Sequence, residues 1–273
     1  MSSIDFAQTY LSPSPQKWLK RAGAAWFYVA CAGQLAFIYF ICTYYGTRTF
    51  HGDWAAWNDK PLIDGHIDGD MTGNLMFISH VLMAVIITFG GLMQLIPALR
   101  RRMPAAHRWN GRLFIAAAYF MALGGLWLGW VRGTHLSMIA GYAISLNAAL
   151  ILIFATLALR RAMQGRIEDH RRWAMRTFMV VNGVWFLRIG MMAWIVINQG
   201  PVGMNRTMSG PMDIVLTFGS YLIPLAVLEF YMAAQRSRKP RHQWAATAAV
   251  SVATLITAIG VFGTVAFMWG PYL

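Results

Sequence analysis

Seven apolar runs, each about 20 residues or longer, divide this chain at roughly 22–44, 74–99, 112–131, 138–159, 177–197, 213–235 and 245–268. A helix of that length crosses about 30 Å of hydrocarbon. Strands are excluded: the runs are too long, and an open sheet in lipid leaves its edge groups unpaired. Composition agrees, because 58% of the residues are hydrophobic and only 12% are charged, against about 25% charged in a soluble domain. The expectation is an all-α integral membrane protein. It forms one polytopic domain over 1–273 whose first partner is the lipid bilayer.

The net charge of +13 would suit a nucleic-acid binder, but its distribution says otherwise. The N-terminal segment and the loops at 100–112, 160–176 and 236–241 hold 18 of the 23 Lys and Arg residues. The opposite loops hold Arg48, Lys60, Arg132 and Arg206, and Arg188 lies within a span. That bias is membrane topology, not a nucleic-acid stripe. It predicts a cytoplasmic N-terminus and an outside C-terminus in an inner (plasma) membrane. No cleavable signal peptide is expected, since Lys17, Lys20 and Arg21 lead into a long apolar run without a small-residue cleavage site. Cys31 and Cys42 share one span and sit too far apart along a helix to bridge.

A short basic segment occurs twice. Ala98-Leu99-Arg100-Arg101 is followed by Met103, His107-Arg108-Trp109 and Arg112-Leu113-Phe114. Ala158-Leu159-Arg160-Arg161 is followed by Met163, His170-Arg171-Arg172-Trp173 and Arg176-Thr177-Phe178. The offset of 60 residues between the Ala-Leu-Arg-Arg copies implies a duplicated two-helix hairpin. Spans 2 to 5 (74–197) then form a four-helix core of two parallel repeats, flanked by spans 22–44, 213–235 and 245–268.

His107 and His170 occupy matching places in the two copies. Two imidazoles at equal depth on facing helices are what a bis-histidine haem requires, with Arg112 and Arg176 at hand for propionates and Trp109 and Trp173 for ring contact. The competing reading is that these segments anchor the loops in the headgroups. His80 and His135 make a less regular outer pair, because the offset aligns His80 with Ala140 instead. Gly90-Gly91 and Gly124-Gly125 suit close helix packing or space for a flat cofactor. Counted along straight helices, Asn147 and Arg188 share one layer, while Gln94, Asn182 and Glu229 share another nearer the basic hinges. Arg188 is therefore no direct partner of Glu229 and needs an anion or carbonyls. In the loop at 45–73, Asp64, His66 and Asp68 are a weak metal candidate; a solvated loop is the simpler reading.

His80, then Gln94 and Pro97, His107-Arg108-x-x-Gly111-Arg112, His170-x-x-Trp173-x-Met175-Arg176 and Arg188 give residues of about 75–190 a resemblance to a bacterial membrane family catalogued as domain of unknown function 2306. More distantly, four histidines over four consecutive spans resemble the ascorbate-reducible two-haem transmembrane cytochromes b. That resemblance implies pairing of His80 with His135 and of His107 with His170. The short interval from His80 to His107 and the place of His135 depart from it. The leading expectation is thus a b-type haem protein moving electrons within the membrane, with quinol or another redox protein as partner. As an enzyme it would be an oxidoreductase. The alternatives are a cofactor-free transporter or sensor using a buried Arg/Asn/Glu path, and a structural subunit of a membrane complex. No nucleophile–base pair, phosphate loop or zinc-protease pattern supports hydrolysis or phosphoryl transfer.

Overall fold

The computed structural model describes residues 14–60 and 63–273; the remaining parts of the expected domain, 1–13 and 61–62, lie outside the described residues. Helix α1 (Pro15–Phe40) runs on through a π-helical stretch, Ile41–Gly46, and one more α turn to Phe50, making a single 36-residue span. Then follow α2 (Met71–Leu95), the short α3 (Pro97–Arg102), α4 (Pro104–Trp130), α5 (Met138–Met163), α6 (Ile167–Val181), α7 (Gly183–Asn198), α8 (Pro211–Arg236) and α9 (Pro240–Gly263). A π-helical stretch, Thr264–Trp269, and a last 3-10 turn extend α9 to Tyr272. Among the described residues six helices are long and apolar enough to cross a membrane, and there are seven when α6 and α7, bent by 53° at their junction, are taken as one broken span. No strand occurs among the described residues.

Local chemistry sets these boundaries. Pro15, Pro97, Pro104, Pro211 and Pro240 open their helices, where the missing N–H costs nothing and the fixed φ is already helical. The Asp70 carboxylate accepts the Gly73 N–H at 2.9 Å and caps α2, and the Ser137 hydroxyl caps α5. The two hinges differ despite their shared residues. Pro97 and Pro104 isolate Ala98–Arg101 in the separate helix α3. In the second copy no proline intervenes, so Ala158–Arg161 simply end α5, and Gly165 turns the chain with φ +70.

Two main apolar cores result, with a small third one of Leu19, Ala234 and Ala246 where α1, α8 and α9 meet. One joins α2, α4, α5 and α6, with Tyr221 of α8, through Ile87, Phe114, Ala118, Ile151, Ala155 and Val180. The second gathers α1, α6, α7, α8 and the α9 extension around Phe37, Phe40, Trp185, Phe186, Leu228 and Trp269. Small residues let backbones approach here: a Cβ on Gly260 of α9 would stand 2.2 Å from the Ile189 carbonyl oxygen of α7. Outside, Leu35, Phe89, Leu123, Ile153, Ile223 and Phe262 are exposed, an apolar surface that only lipid hydrocarbon covers without penalty. Below, the side bearing the hinges is the hinge face, and the side with the 51–70 loop is the loop face.

Candidate functional site

The fifth span breaks at Asn182-Gly183, where Asn182 leaves the helical region at φ −82, ψ 9. Asn and Gly are weak helix formers, and the Asn side chain competes for backbone partners. Here the Asn182 Nδ2 donates to the Phe178 carbonyl at 2.8 Å, and its Oδ1 accepts from Gln34 Nε2 of α1 at 3.0 Å. Gln34 is fully buried. Asn147 of α5 lies against Gly183, whose absent Cβ would meet the Asn147 amide nitrogen at 2.8 Å. Beside them Tyr221 of α8 donates to the Ala143 carbonyl at 3.1 Å. The break thus sits among α1, α5 and α8 with three amide side chains converging on it. Gln34 Oε1 and Asn147 Oδ1 are buried and have no partner among the described residues. Such an oxygen calls for water or a polar solute.

Arg188 lies five residues further along α7. Its side chain is half-buried within the bundle. Its Nη1 donates to the Val184 carbonyl at 3.2 Å, and its guanidinium rests 5.5 Å from the centroid of Phe37. Among the described residues it has no salt-bridge partner. Lys60 faces the same neighbourhood from the loop; burial first, and then the Arg188 charge, push its ammonium down to about 8.

The shared layer of Asn147 and Arg188 is not what forms: Asn147 packs on Gly183 instead. The 53° bend is the reason, since depth counted along a straight rod fails beyond it. The layer of Gln94, Asn182 and Glu229 likewise resolves into three separate contacts. Gln94 donates to the His107 carbonyl at 2.9 Å, and Asn182 bonds Gln34. Glu229 holds Arg176 by two bonds, 2.5 Å from Nε and 2.9 Å from Nη2.

At the hinges, His107 and His170 are each the fourth residue of their helix and lie within electrostatic reach of one another. His170 Nδ1 is 2.9 Å from the Ala158 carbonyl, while His107 Nδ1 is buried without a partner. Measured from the downstream landmarks, however, the pair is out of step. His107 precedes Trp109 by two residues and His170 precedes Trp173 by three, which turns one imidazole by about 100° relative to its copy. Of the expected propionate ligands one is engaged: Arg176 stacks on Trp173 at 4.4 Å and pairs with Glu229, while Arg112 is exposed and stacks on Trp109 at 4.7 Å. The glycine pairs hold side chains rather than a slot. A Cβ on Gly124 would meet His80 Nδ1 at 3.2 Å, and one on Gly91 would meet Phe114 and Phe178 at 3.1 and 3.2 Å.

His80 and His135 go to different neighbours. His80 packs on Gly124 and Gly125, whereas His135 Nδ1 lies 2.6 Å from the Gly129 carbonyl and its ring packs on Trp130. Among the described residues no group of three or more His, Cys, Asp or Glu side chains could hold a metal. That removes the Asp64–His66–Asp68 candidate. The loop's polar groups are spent on folding it: Asn58 holds Gly65 and His66, and Arg132 Nε binds Asp70 at 3.0 Å while its Nη2 binds Gly65 and Asn74.

Sequence reasoning missed Gln34, Lys60 and Tyr45. Gln34 was visible as a lone amide inside an apolar run; Lys60 and Tyr45 gain meaning only once the loop folds back onto α1.

The fold and site define a polytopic α-helical membrane protein with a broken span and buried amide and guanidinium groups. A family described as "Predicted membrane protein (DUF2306)" matches residues 77–232, more than half of the chain, and the chain belongs to that family. No curated protein and no solved structure matches it.

Proposed function

We propose that this chain handles a small polar or anionic solute, as a transporter or sensor, and that the broken fifth span is its working element. The observation that carries this reading is the 53° break at Asn182, where the buried Gln34 and Asn147 oxygens have no partner among the described residues, followed by the half-buried Arg188, which has no carboxylate partner among them. Discontinuous spans place backbone and amide groups at mid-membrane, where solutes and ions bind, and an intramembrane arginine is costly unless it serves such a site. The basic hinges support an orientation with the hinge face and N-terminus in the cytoplasm of a bacterial inner membrane.

Cysteine accessibility tests the reading. In a Cys31→Ala, Cys42→Ala background, single substitutions Asn147→Cys, Asn182→Cys and Arg188→Cys are exposed in sealed vesicles to a membrane-impermeant methanethiosulfonate. A polar path predicts labelling at 188 from the loop face, and at 147 or 182 from one face. A bundle sealed at all three positions removes the proposal.

A b-type haem protein is the second reading. Its favourable observation is the imidazole pair itself, with His170 Nδ1 fixed by a carbonyl as in an oriented iron ligand. It ranks below the first because Arg176 is engaged by Glu229 and the two imidazoles are out of helical step. A reduced-minus-oxidised visible spectrum of protein expressed with haem decides it. Sharp bands lost in His107→Ala and His170→Ala would reinstate it, and a colourless folded preparation removes it.

A further inference from the structure

We propose that Arg188 and Lys60 together form an oxyanion site on the loop-face half of the bundle, taking a carboxylate, sulfate or phosphate group. The inference rests on the solute-handling reading and names the chemistry of its ligand.

Cations gather on one aromatic cluster here without matching carboxylates beside them. The Lys60 ammonium stands 5.1 Å from the ring centroid of Tyr272 and 5.7 Å from that of Phe40. The Arg188 guanidinium stands 5.5 Å from Phe37. Phe37 and Phe40 both stack on Trp269, at 5.3 and 5.6 Å, so the two cations rest on rings that share one buried indole. A third cation, Arg48, lies 4.0 Å from the Tyr44 ring, which itself stacks on Phe40 at 5.4 Å. Within 4.0 Å of these three cations the described residues place one carboxylate, Asp59, at 3.8 Å from Arg48. Neither Lys60 nor Arg188 has an Asp or Glu within 4.0 Å among the described residues.

Aromatic faces attract a cation, but they do not replace a counter-charge. Two like charges in a low-dielectric setting repel strongly, and a buried charge persists only when paired. An anion between them would balance both charges. The guanidinium fork suits the paired oxygens of a carboxylate, sulfate or phosphate. Tyr45 stands at the same place, 4.7 Å from Tyr44 and 6.1 Å from Phe77, and the charge of Arg188 reaches it. Such a group has two sources on this face: a dissolved organic anion, or the phosphate of a lipid in the adjoining leaflet.

The full chain, purified and delipidated in detergent, is tested by thermal unfolding and tryptophan fluorescence. The probes are sodium benzoate and sodium sulfate at constant ionic strength, and, in nanodiscs, phosphatidylcholine with and without phosphatidic acid. One class of probe should raise the midpoint. Its affinity should fall about ten- to a hundredfold in Arg188→Gln and in Lys60→Gln, as expected for the loss of one charged hydrogen bond. Lys60→Arg should restore most of it, and Arg206→Gln, on another loop, should behave as wild type. Because Arg188→Gln removes an uncompensated charge, its midpoint without anion should be equal or higher. If that variant fails to fold, Lys60→Gln carries the test. Response to benzoate or sulfate assigns a dissolved anion; response to phosphatidic acid alone assigns a lipid headgroup. No response to any probe, or one that both substitutions leave unchanged, overturns the site. Labelling at positions 147, 182 and 188 is independent of these outcomes, so failure of the anion site is distinguishable from failure of the polar path.

Discussion

Replacing Asn182 by Leu tests whether the break is held by Gln34. The substitution removes the 3.0 Å bond from Gln34 Nε2 and the 2.8 Å bond to the Phe178 carbonyl. It also leaves Gln34 with no partner at either amide atom, since its Oε1 already lacks one. Interhelical bonds between membrane helices average about 0.6 kcal/mol and reach about 1.7, while a buried polar group left unsatisfied costs about 1–3 kcal/mol. Leu regains roughly half a kcal/mol of helix propensity. The expected net loss is about 2 kcal/mol. Gln34→Leu alone should cost less, about 1 kcal/mol, because it removes the orphaned Oε1 together with the bond. The double variant should recover about 1 kcal/mol relative to the sum of the two, beyond the roughly 0.3–0.5 kcal/mol over which independent sites add. Reversible unfolding in mixed dodecyl sulfate micelles, followed by far-ultraviolet dichroism and tryptophan fluorescence, measures all four stabilities. If Asn182→Leu is as stable as wild type, or the two changes simply add, the amide pair does not hold the bend and the reasoning fails.

Three further outcomes follow from the same contacts. Glu229→Gln should destabilise by about 1–3 kcal/mol, because half-buried Arg176 loses a bidentate charged partner; Arg176→Gln paired with Glu229→Gln should recover part of that loss in the same titration. Arg132→Gln should loosen the 51–70 loop, whose clamp to the end of α4 it forms through Asp70, Asn74 and Gly65; hydrogen exchange should rise there while the spans stay protected. Anion affinity should be full below about pH 7 and fall as pH rises through about 8, where Lys60 loses its proton. Benzoate and sulfate do not titrate in that range, and the Lys60→Gln variant should give a flat profile. Around Lys60 the other charged or titratable groups are Arg188, Arg48, Asp59, Tyr44, Tyr45 and Tyr272. Without anion the sign reverses: a lysine whose folded pKa is depressed weakens the fold while charged, so stability should rise between about pH 8 and the ordinary lysine value.

Much of the architecture was legible because it follows from length and from charge. A long apolar run crosses a membrane whatever its neighbours, and prolines mark helix starts locally. The repeat was legible as words, although Pro97 gives those words a different structure in each copy. What was not legible depended on partners distant in sequence. Asn182 bends its helix where Gln34 arrives 148 positions earlier to hold it. Glu229 meets Arg176 only because α8 covers the second hairpin, and counting depth along straight rods separates groups that a bend brings together. Lys60 lies in a loop that any composition rule calls solvated; it enters the bundle because Arg132 and Asn58 fold that loop down.

The duplication also explains why the polar site lies in one half of the core. At the offset of 64 residues that aligns Arg112 with Arg176, Asn182 corresponds to Ala118 and Arg188 to Gly124. The first copy keeps the plain form: α4 is unbroken over its 27 residues, Ala118 is buried in the apolar core, and the gap at Gly124 is filled by His80. In the second copy the place of Ala118 is taken by an amide that opens the helix, and the place of Gly124 by a guanidinium that turns toward Phe37 of α1. The flanking spans follow the same division. Helix α8 packs on both α6 and α7, and α9 on α7 and α1, whereas α4 packs against α2, α3 and α5 and leaves Trp109 and Arg112 at the surface. A guanidinium on α4 would face lipid or α2, with no third element to supply a chamber. On α7 it meets an aromatic wall, a folded loop and a second cation. The cover supplied by the flanking helices is what lets one copy carry costly polar groups while the other remains a packing element.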